Sequence, residues 1–500
     1  MHRTTVRLFE RAALRGHVRR SWQRAAKTLR VFALVLAGLD IALFVASPVW
    51  AQGTPSGSTR KPLKKTAAKP KPTTPAVDAD DDAGPKAKSK PAAKKADDSG
   101  DDAASADSSS DVFSISKPLT TDEAWKTWSE GRGHSEYNNR VHTGELDRDA
   151  MQIISTGIEM QVKALTLPAQ RENLGNIVAG LLRSVHTAAD AKDPSIQRSV
   201  RFAMVKEIVK NCHLLADNQF YVRLNAAILL GNLFVVPENP VNKTPPEFYT
   251  EAFEELMQVL QRKDQPVAIK VAAVDGLQNA ALLGNPPLEP TRKIRLATAL
   301  RDELEKTDTC EWYQERICET LGSLNQVYDL DGRPFIVYAL GKALYDQNRH
   351  LCARAAAAKA LGRTPLPPSI DLSVVAHGIA DLSRQIAETR NEGKKHVRRW
   401  CIINVFLAFK PRNMDERARR AGLLERVDEP SFQKYKESIK DVYGLVLPMV
   451  VQELKEADSP FAPEIVEHLD DWLKNHTPAQ LRIVPGMPPL KTTQVTKSSP

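Results

Sequence analysis

The chain has 500 residues, 42% hydrophobic and 26% charged, with a formal net charge of +9. That balance invites a nucleic-acid partner. However, residues 1–51 hold nine cations against Glu10 and Asp40, and residues 52–115 hold eleven cations against ten acids, leaving only about +1 for the rest. A near-neutral remainder argues against nonspecific phosphate binding, which needs clustered cations, and five cysteines without a CxxC spacing argue against a zinc or heme site.

The first element reads as an export signal. Arg3, Arg7, Arg11, Arg15, Arg19, Arg20, Arg24, Lys27 and Arg30 precede an apolar run over 31–46, and Val49 and Ala51 meet the small-residue requirement for cleavage after Ala51. The alternative is an uncleaved membrane anchor over 31–51, which Asp40 penalises at mid-bilayer. Either way the remainder is expected outside the inner membrane, in a bacterial periplasm or cell envelope. Residues 52–115 are rich in Lys, Ala, Pro and Asp and lack an aromatic residue before Phe113, so they are expected to form a disordered linker. Its lysine blocks at 61–65 and 86–90 suit an anionic envelope polymer or membrane surface, while the acidic blocks at 78–82 and 97–102 suit a self-cancelling spacer.

Residues 116–480 read as helical almost throughout, and 481–500 as a disordered tail. Apolar residues recur at three- and four-residue intervals over 150–164 and 171–188. Paired helices are then expected at 195–214 with 219–234, 247–262 with 266–282, 291–306 with 312–327, 334–345 with 350–362, 370–389 with 394–409, and 431–456 with 461–475. Prolines at 237, 240, 245–246, 286–287, 365, 367–368 and 411 mark the turns. No alternating strand pattern is evident.

The second helix of successive pairs carries a recurring phrase. It runs Val222 to Gly231, Val267 to Gly276, Tyr313 to Gly322 and Ala353 to Gly362, with a fifth copy, Val397 to Phe406, that lacks the glycine. The steps of 45, 46, 40 and 44 residues have the period of a two-helix repeat that stacks into a solenoid. Ala226–Ala227, Ala272–Ala273 and Ala355 to Ala358 permit close backbone approach, and Leu230, Leu321 and Leu361 are expected to fill the layers between repeats. With Val222–Arg223, Ala226–Ala227 and Leu230–Gly231 as the best match, the phrases resemble HEAT repeats. The expected fold class is therefore all-α, a HEAT-like α-solenoid of about six to seven helix pairs preceded by the linker. The resemblance implies scaffolding or partner binding along a concave surface, although some HEAT-like arrays act as glycosylases or bilin lyases.

Arg223, Arg354 and Arg398 share one repeat position, and Lys270 and Arg316 share another. They form either a basic stripe for an acidic partner or a ladder in which each cation pairs with an acid such as Asp217, Asp264 or Asp308. Cys310 and Cys318 are candidates for a disulfide across a turn, and the remaining cysteines read as small buried side chains. Asp329 and Asp331 resemble a calcium-loop fragment but read as a turn, because Pro334 and Leu340 stand where the loop needs Gly and Glu. His134, His142, Glu136 and Glu145 cluster without a zinc-ligand spacing. Trp125 and Trp128 read as an N-terminal cap, and Asn242 and Asn475 begin glycosylation sequons. The chain is thus expected to be a non-enzymatic scaffold for a protein or envelope-polymer partner, with no cofactor. The enzymatic alternative needs convergent carboxylate and aromatic side chains, for which Glu315, Glu319 and Trp400 are the candidates.

Overall fold

Helix starts follow local chemistry. Thr121, Asp147, Asp193 and Asp371 each accept a backbone N–H of the first turn that would otherwise lack a partner, and Pro194, Pro290 and Pro463 sit at first-turn positions where no N–H is needed. The computed structural model describes residues 117–238, 244–306, 309–389, 395–410, 422–456 and 459–490. The expected signal at 1–51, the linker at 52–115, Asp308 and the Asn242 sequon lie outside the described residues.

Seventeen α-helices account for most of the described residues, so the protein is all-α at the level of class. They are α1 (Asp122–Glu130), α2 (Arg132–Thr143), α3 (Arg148–Ala164), α4 (Leu174–Thr187), α5 (Pro194–Cys212) and α6 (Phe220–Leu230). Then come α7 (Ala252–Gln261), α8 (Val267–Leu283), α9 (Pro290–Leu304), α10 (Glu311–Ser323), α11 (Phe335–Tyr345) and α12 (Leu351–Arg363). The last are α13 (Leu372–Glu388), α14 (Lys395–Phe409), α15 (Leu423–Arg426), α16 (Lys436–Lys455) and α17 (Pro463–Asn475). Among these, no helix is long and apolar enough to cross a membrane.

Contacts run between neighbours. Helices α4, α6, α8, α10, α12, α14 and α16 each touch the next in that order, while α7, α9, α11 and α13 do likewise and pack against the helix that follows them in sequence. The phrase glycines sit where the first of these rows is tightest. A Cβ built on Gly276 of α8 would lie 2.6 Å from the Cα of Gly231 at the end of α6, and one on Gly322 of α10 would lie 2.8 Å from the Cα of Ala360 in α12. Gly362 meets the backbone of Ala408 in α14 in the same way. Between these contacts Leu230, Leu321 and Leu361 are buried.

The structure departs from expectation in three places. A short antiparallel pair, β1 (Phe234–Val236) with β2 (Glu247–Phe248), lies between α6 and α7. It was not anticipated because strands this short carry no readable alternation. The tail expected to be disordered from 481 is instead docked over 481–490. Ile483, Val484 and Leu490 are buried, Ile483 packs on Gly341 of α11, and the Asp371 amide donates to the Ile483 carbonyl at 3.0 Å. Three apolar side chains spaced through ten residues are enough to hold a segment without regular structure. Cys310 and Cys318 form no disulfide. Cys310 caps α10 and Cys318 lies eight residues along it, a rise of about 12 Å, beyond the reach of a disulfide.

Other expectations find local explanations. Trp128 stacks on Trp125 at 5.5 Å and meets Tyr137 at 6.1 Å, which joins α1 to α2. Asp329 accepts the amides of Asp331 and Arg333 at 2.9 and 2.8 Å, closing a turn around Gly332, whose φ is 75°. Replacing Gly276 with Ala is expected to destabilise the protein by about 2 kcal/mol through forced separation of α6 and α8. Gly180→Ala in α4, where an added Cβ meets nothing within 4 Å, is expected to stabilise it by about 0.5–1 kcal/mol. Urea denaturation of the two variants measures both.

Candidate functional site

Four of the five repeat-position cations point into the protein. Arg223 is buried and donates to Gln265 at 2.7 Å, with Asp264 at 3.9 Å. Lys270 reaches both oxygens of Glu303 at 3.1 Å, and Glu303 also accepts from Tyr313 at 3.0 Å and Lys306 at 2.6 Å. Arg354, 1% exposed, donates to the Leu344 carbonyl at 2.8 Å and to Gln385 at 2.5 Å. Arg398 pairs with buried Glu453 at 2.7 Å and lies over the Phe461 ring. Arg223, Lys270 and Arg398 reach forward into the helix pair that follows their own, whereas Arg354 joins α11 of its own pair to α13 of the next.

In α10 the shared arginine position holds Gln314, and the polarity reverses. Arg349, in the turn before α12, donates to Gln314 at 3.0 Å and to the Leu304 carbonyl at 2.7 Å. The expected acids were only partly the partners used: Asp217 pairs with Arg262 at 2.8 Å rather than with Arg223. Glu303, Arg349 and Glu453 were not singled out from sequence. The substitution of Gln for Arg at 314 was the available signal that a cation had to come from elsewhere.

Arg316 differs from the other four, since its side chain is 35% exposed. It bridges Asp275 of α8 at 2.6 Å and Glu319 of its own helix at 3.0 Å. Glu319 also takes Lys359 of α12 at 2.6 Å. One turn back on α10, Glu315 accepts the indole N–H of Trp400 from α14 at 2.8 Å. Glu315, Glu319 and Trp400, named from sequence as the residues an enzymatic site would need, therefore stand together.

Their meeting has a packing cause. Residues 352–362 of α12 are all buried, with four consecutive alanines at its centre, so α10 and α14 close over it and Trp400 spans the gap. Two further bonds extend the same line across neighbouring helices: Gln278 of α8 to Ser323 of α10 at 3.2 Å, and Asn279 of α8 to the Gly231 carbonyl at 2.9 Å. Partly exposed Leu224 and Ile228 of α6 and Val271 of α8 add apolar surface on these helices.

The two carboxyls of α10 are driven apart in acidity. For Glu315, burial is the main cause and the charge of Glu319 adds to it; together they outweigh the hydrogen bonds from Trp400 and Cys352 and raise the carboxyl to about 7. For Glu319, burial alone would raise it, but Lys359 and Arg316 prevail and hold it at about 2. Glu315 can therefore hold or release a proton near neutrality, while Glu319 remains an anion that organises its two cations.

The histidine cluster does not assemble. Glu136 pairs with Arg132 at 2.6 Å, Glu145 pairs with Arg140, and His134 bonds Asn138 at 3.2 Å. Among the described residues no group of three His, Cys, Asp or Glu side chains is placed to hold a metal ion. No protein-family model, no curated protein and no solved structure matches this chain.

Removing a ladder cation leaves buried acceptors unsatisfied. Arg354→Gln is expected to destabilise the protein by about 3 kcal/mol or more, against under about 1 kcal/mol for Arg316→Gln at the partly solvated position, as read by urea denaturation. Glu315 gives a pH signature. Its folded value lies above its unfolded value near 4.5, so between about pH 4.5 and 7 the folded state binds more protons and stability falls as pH rises. The fall is expected to be on the order of 1–2 kcal/mol, reduced by solvent access to the carboxyl. A pH series of urea midpoints on wild type and Glu315→Gln checks this, with the variant expected to lack that part of the slope.

Proposed function

We propose that the chain is an exported, non-enzymatic binding protein in which a HEAT-like α-solenoid of six to seven helix pairs holds a protein segment along the face of its second helices. The observation that carries this reading is a row of cross-helix bonds: Asn279 to Gly231, Gln278 to Ser323, Asp275 to Arg316, Glu319 to Lys359 and Glu315 to Trp400. A polar row that fixes several helices relative to one another, edged by Leu224, Ile228 and Val271, makes a rigid amphipathic surface. Such a surface limits the entropy lost on binding. Four of the five repeat-position cations are engaged inside the chain, so specificity rests on the acidic and aromatic residues rather than on a basic stripe. In this reading residues 1–51 direct export and 52–115 tether the helical region to the envelope.

A second reading is favoured by one observation, the split acidity of Glu315 and Glu319, which is how acid and base roles are assigned in glycosidase-type sites. Both carboxyls are already hydrogen-bonded within the chain, and binding is therefore the preferred reading. The test is capture of partners from the envelope fraction by the mature protein, with the bound proteins identified by mass spectrometry. The double variant Leu224→Glu/Val271→Glu is expected to weaken retention about tenfold or more. Leu330→Glu, on an exposed loop, is expected to leave retention unchanged. Equal retention by both would place binding elsewhere, and turnover of a glycan by wild type that Glu315→Gln abolishes would favour the enzyme.

A further inference from the structure

The Glu315–Trp400 bond lies above a feature that binding does not use. Cys352, in the first turn of α12, and Cys401, next to Trp400 on α14, bring their sulfurs to 3.3 Å, with the Cys401 thiol directed at Cys352. Both are buried, and the charge of Glu315 acts on the Cys352 thiol. Cys401 thus bonds Cys352 while its neighbour Trp400 bonds Glu315. The two helices are already close, since Gly362 meets the backbone of Ala408 along the same interface. Disulfide formation requires the sulfurs to close from 3.3 Å to about 2.05 Å.

We propose that Cys352 and Cys401 are an oxidisable pair that a small hydroperoxide converts to a disulfide tying α12 to α14. Burial excludes a protein oxidant from the folded state and admits a molecule of peroxide size when the Trp400–Glu315 bond opens. Cys401 and burial keep the Cys352 thiol protonated, so reaction requires a proton acceptor, and Glu315, whose charge acts on that thiol, takes this role. Cys352 passes its proton to the Glu315 carboxylate, and its sulfur attacks one peroxide oxygen. The O–O bond breaks, and the departing oxygen takes the proton from Glu315 and leaves as water. The Cys401 sulfur then attacks the resulting sulfenic acid of Cys352; the S–S bond forms, the S–O bond breaks, and hydroxide leaves with the Cys401 proton as a second water. Two thiols are oxidised by two electrons while one hydrogen peroxide is reduced to two waters. The cross-link fixes the spacing of α12 and α14 beneath the proposed binding face, and the inference stands whether or not that face binds a partner.

The test treats the purified full chain with hydrogen peroxide, alkylates the remaining thiols in denaturant and maps peptides without reduction. The expected result is loss of two hydrogens and a peptide pair joined through Cys352 and Cys401. Glu315→Gln is expected to slow cross-linking about tenfold or more, because the acceptor for the Cys352 proton is removed. In Cys401→Ser, dimedone is expected to trap a sulfenic acid on Cys352. The proposal is overturned if both cysteines remain fully alkylated at a peroxide dose that oxidises methionines, or if a different cysteine pair is joined. Circular dichroism verifies that the variants are folded, and the wild-type peptide map decides the matter without them.

Discussion

Close approach of successive second helices is the constraint on which the rest depends. Where Gly276 faces Gly231, Gly322 faces Ala360 and Gly362 faces Ala408, no side chain larger than a methyl separates the backbones. Leucines then fill the space on either side. Tight packing of this kind responds to a single added methylene because interiors have little free volume. The four alanines of α12 are the extreme case: residues 352–362 are all buried, and Trp400 of α14 reaches past the helix to Glu315 of α10. The contact of Trp400 with Glu315 and that of Cys352 with Cys401 both follow from this.

The buried cations complete the same design. A cation in the first turn of a second helix sits between its own pair and the next, and Arg354 illustrates the result by bonding the Leu344 carbonyl of α11 and Gln385 of α13. Such groups add little net stability when formed, yet they penalise wrong registers because an unpaired buried charge is costly. The exchange at Gln314 shows that Arg349, from the opposite side, can supply the charge in place of an arginine on α10.

Glu315 and Glu319 lie one turn apart on one helix, yet one is held near neutrality and the other far below it. Lys359 and Arg316 surround Glu319, while Glu315 has the Trp400 indole and a charged neighbour in Glu319. The row therefore combines a fixed anion with a titratable group. The bonds that link the row across helices make it a surface of set shape.

Sequence by itself determined the helical class and the repeat period. These depend on local periodicity and on small residues at fixed spacing, as in Val222 to Gly231 and Ala353 to Gly362. It also brought out Glu315, Glu319 and Trp400, because acidic and aromatic residues are rare on those helices. Tertiary structure alone decided that these three meet, that the repeat-position cations mostly turn inward, that Cys401 rather than Cys310 or Cys318 finds a cysteine neighbour, and that 481–490 is docked. The physical reason is distance along the chain. Trp400 lies 85 residues from Glu315, and Cys401 lies 49 from Cys352. Which side chains face each other across such separations is set by the rotation and spacing of stacked helices, which no local pattern encodes.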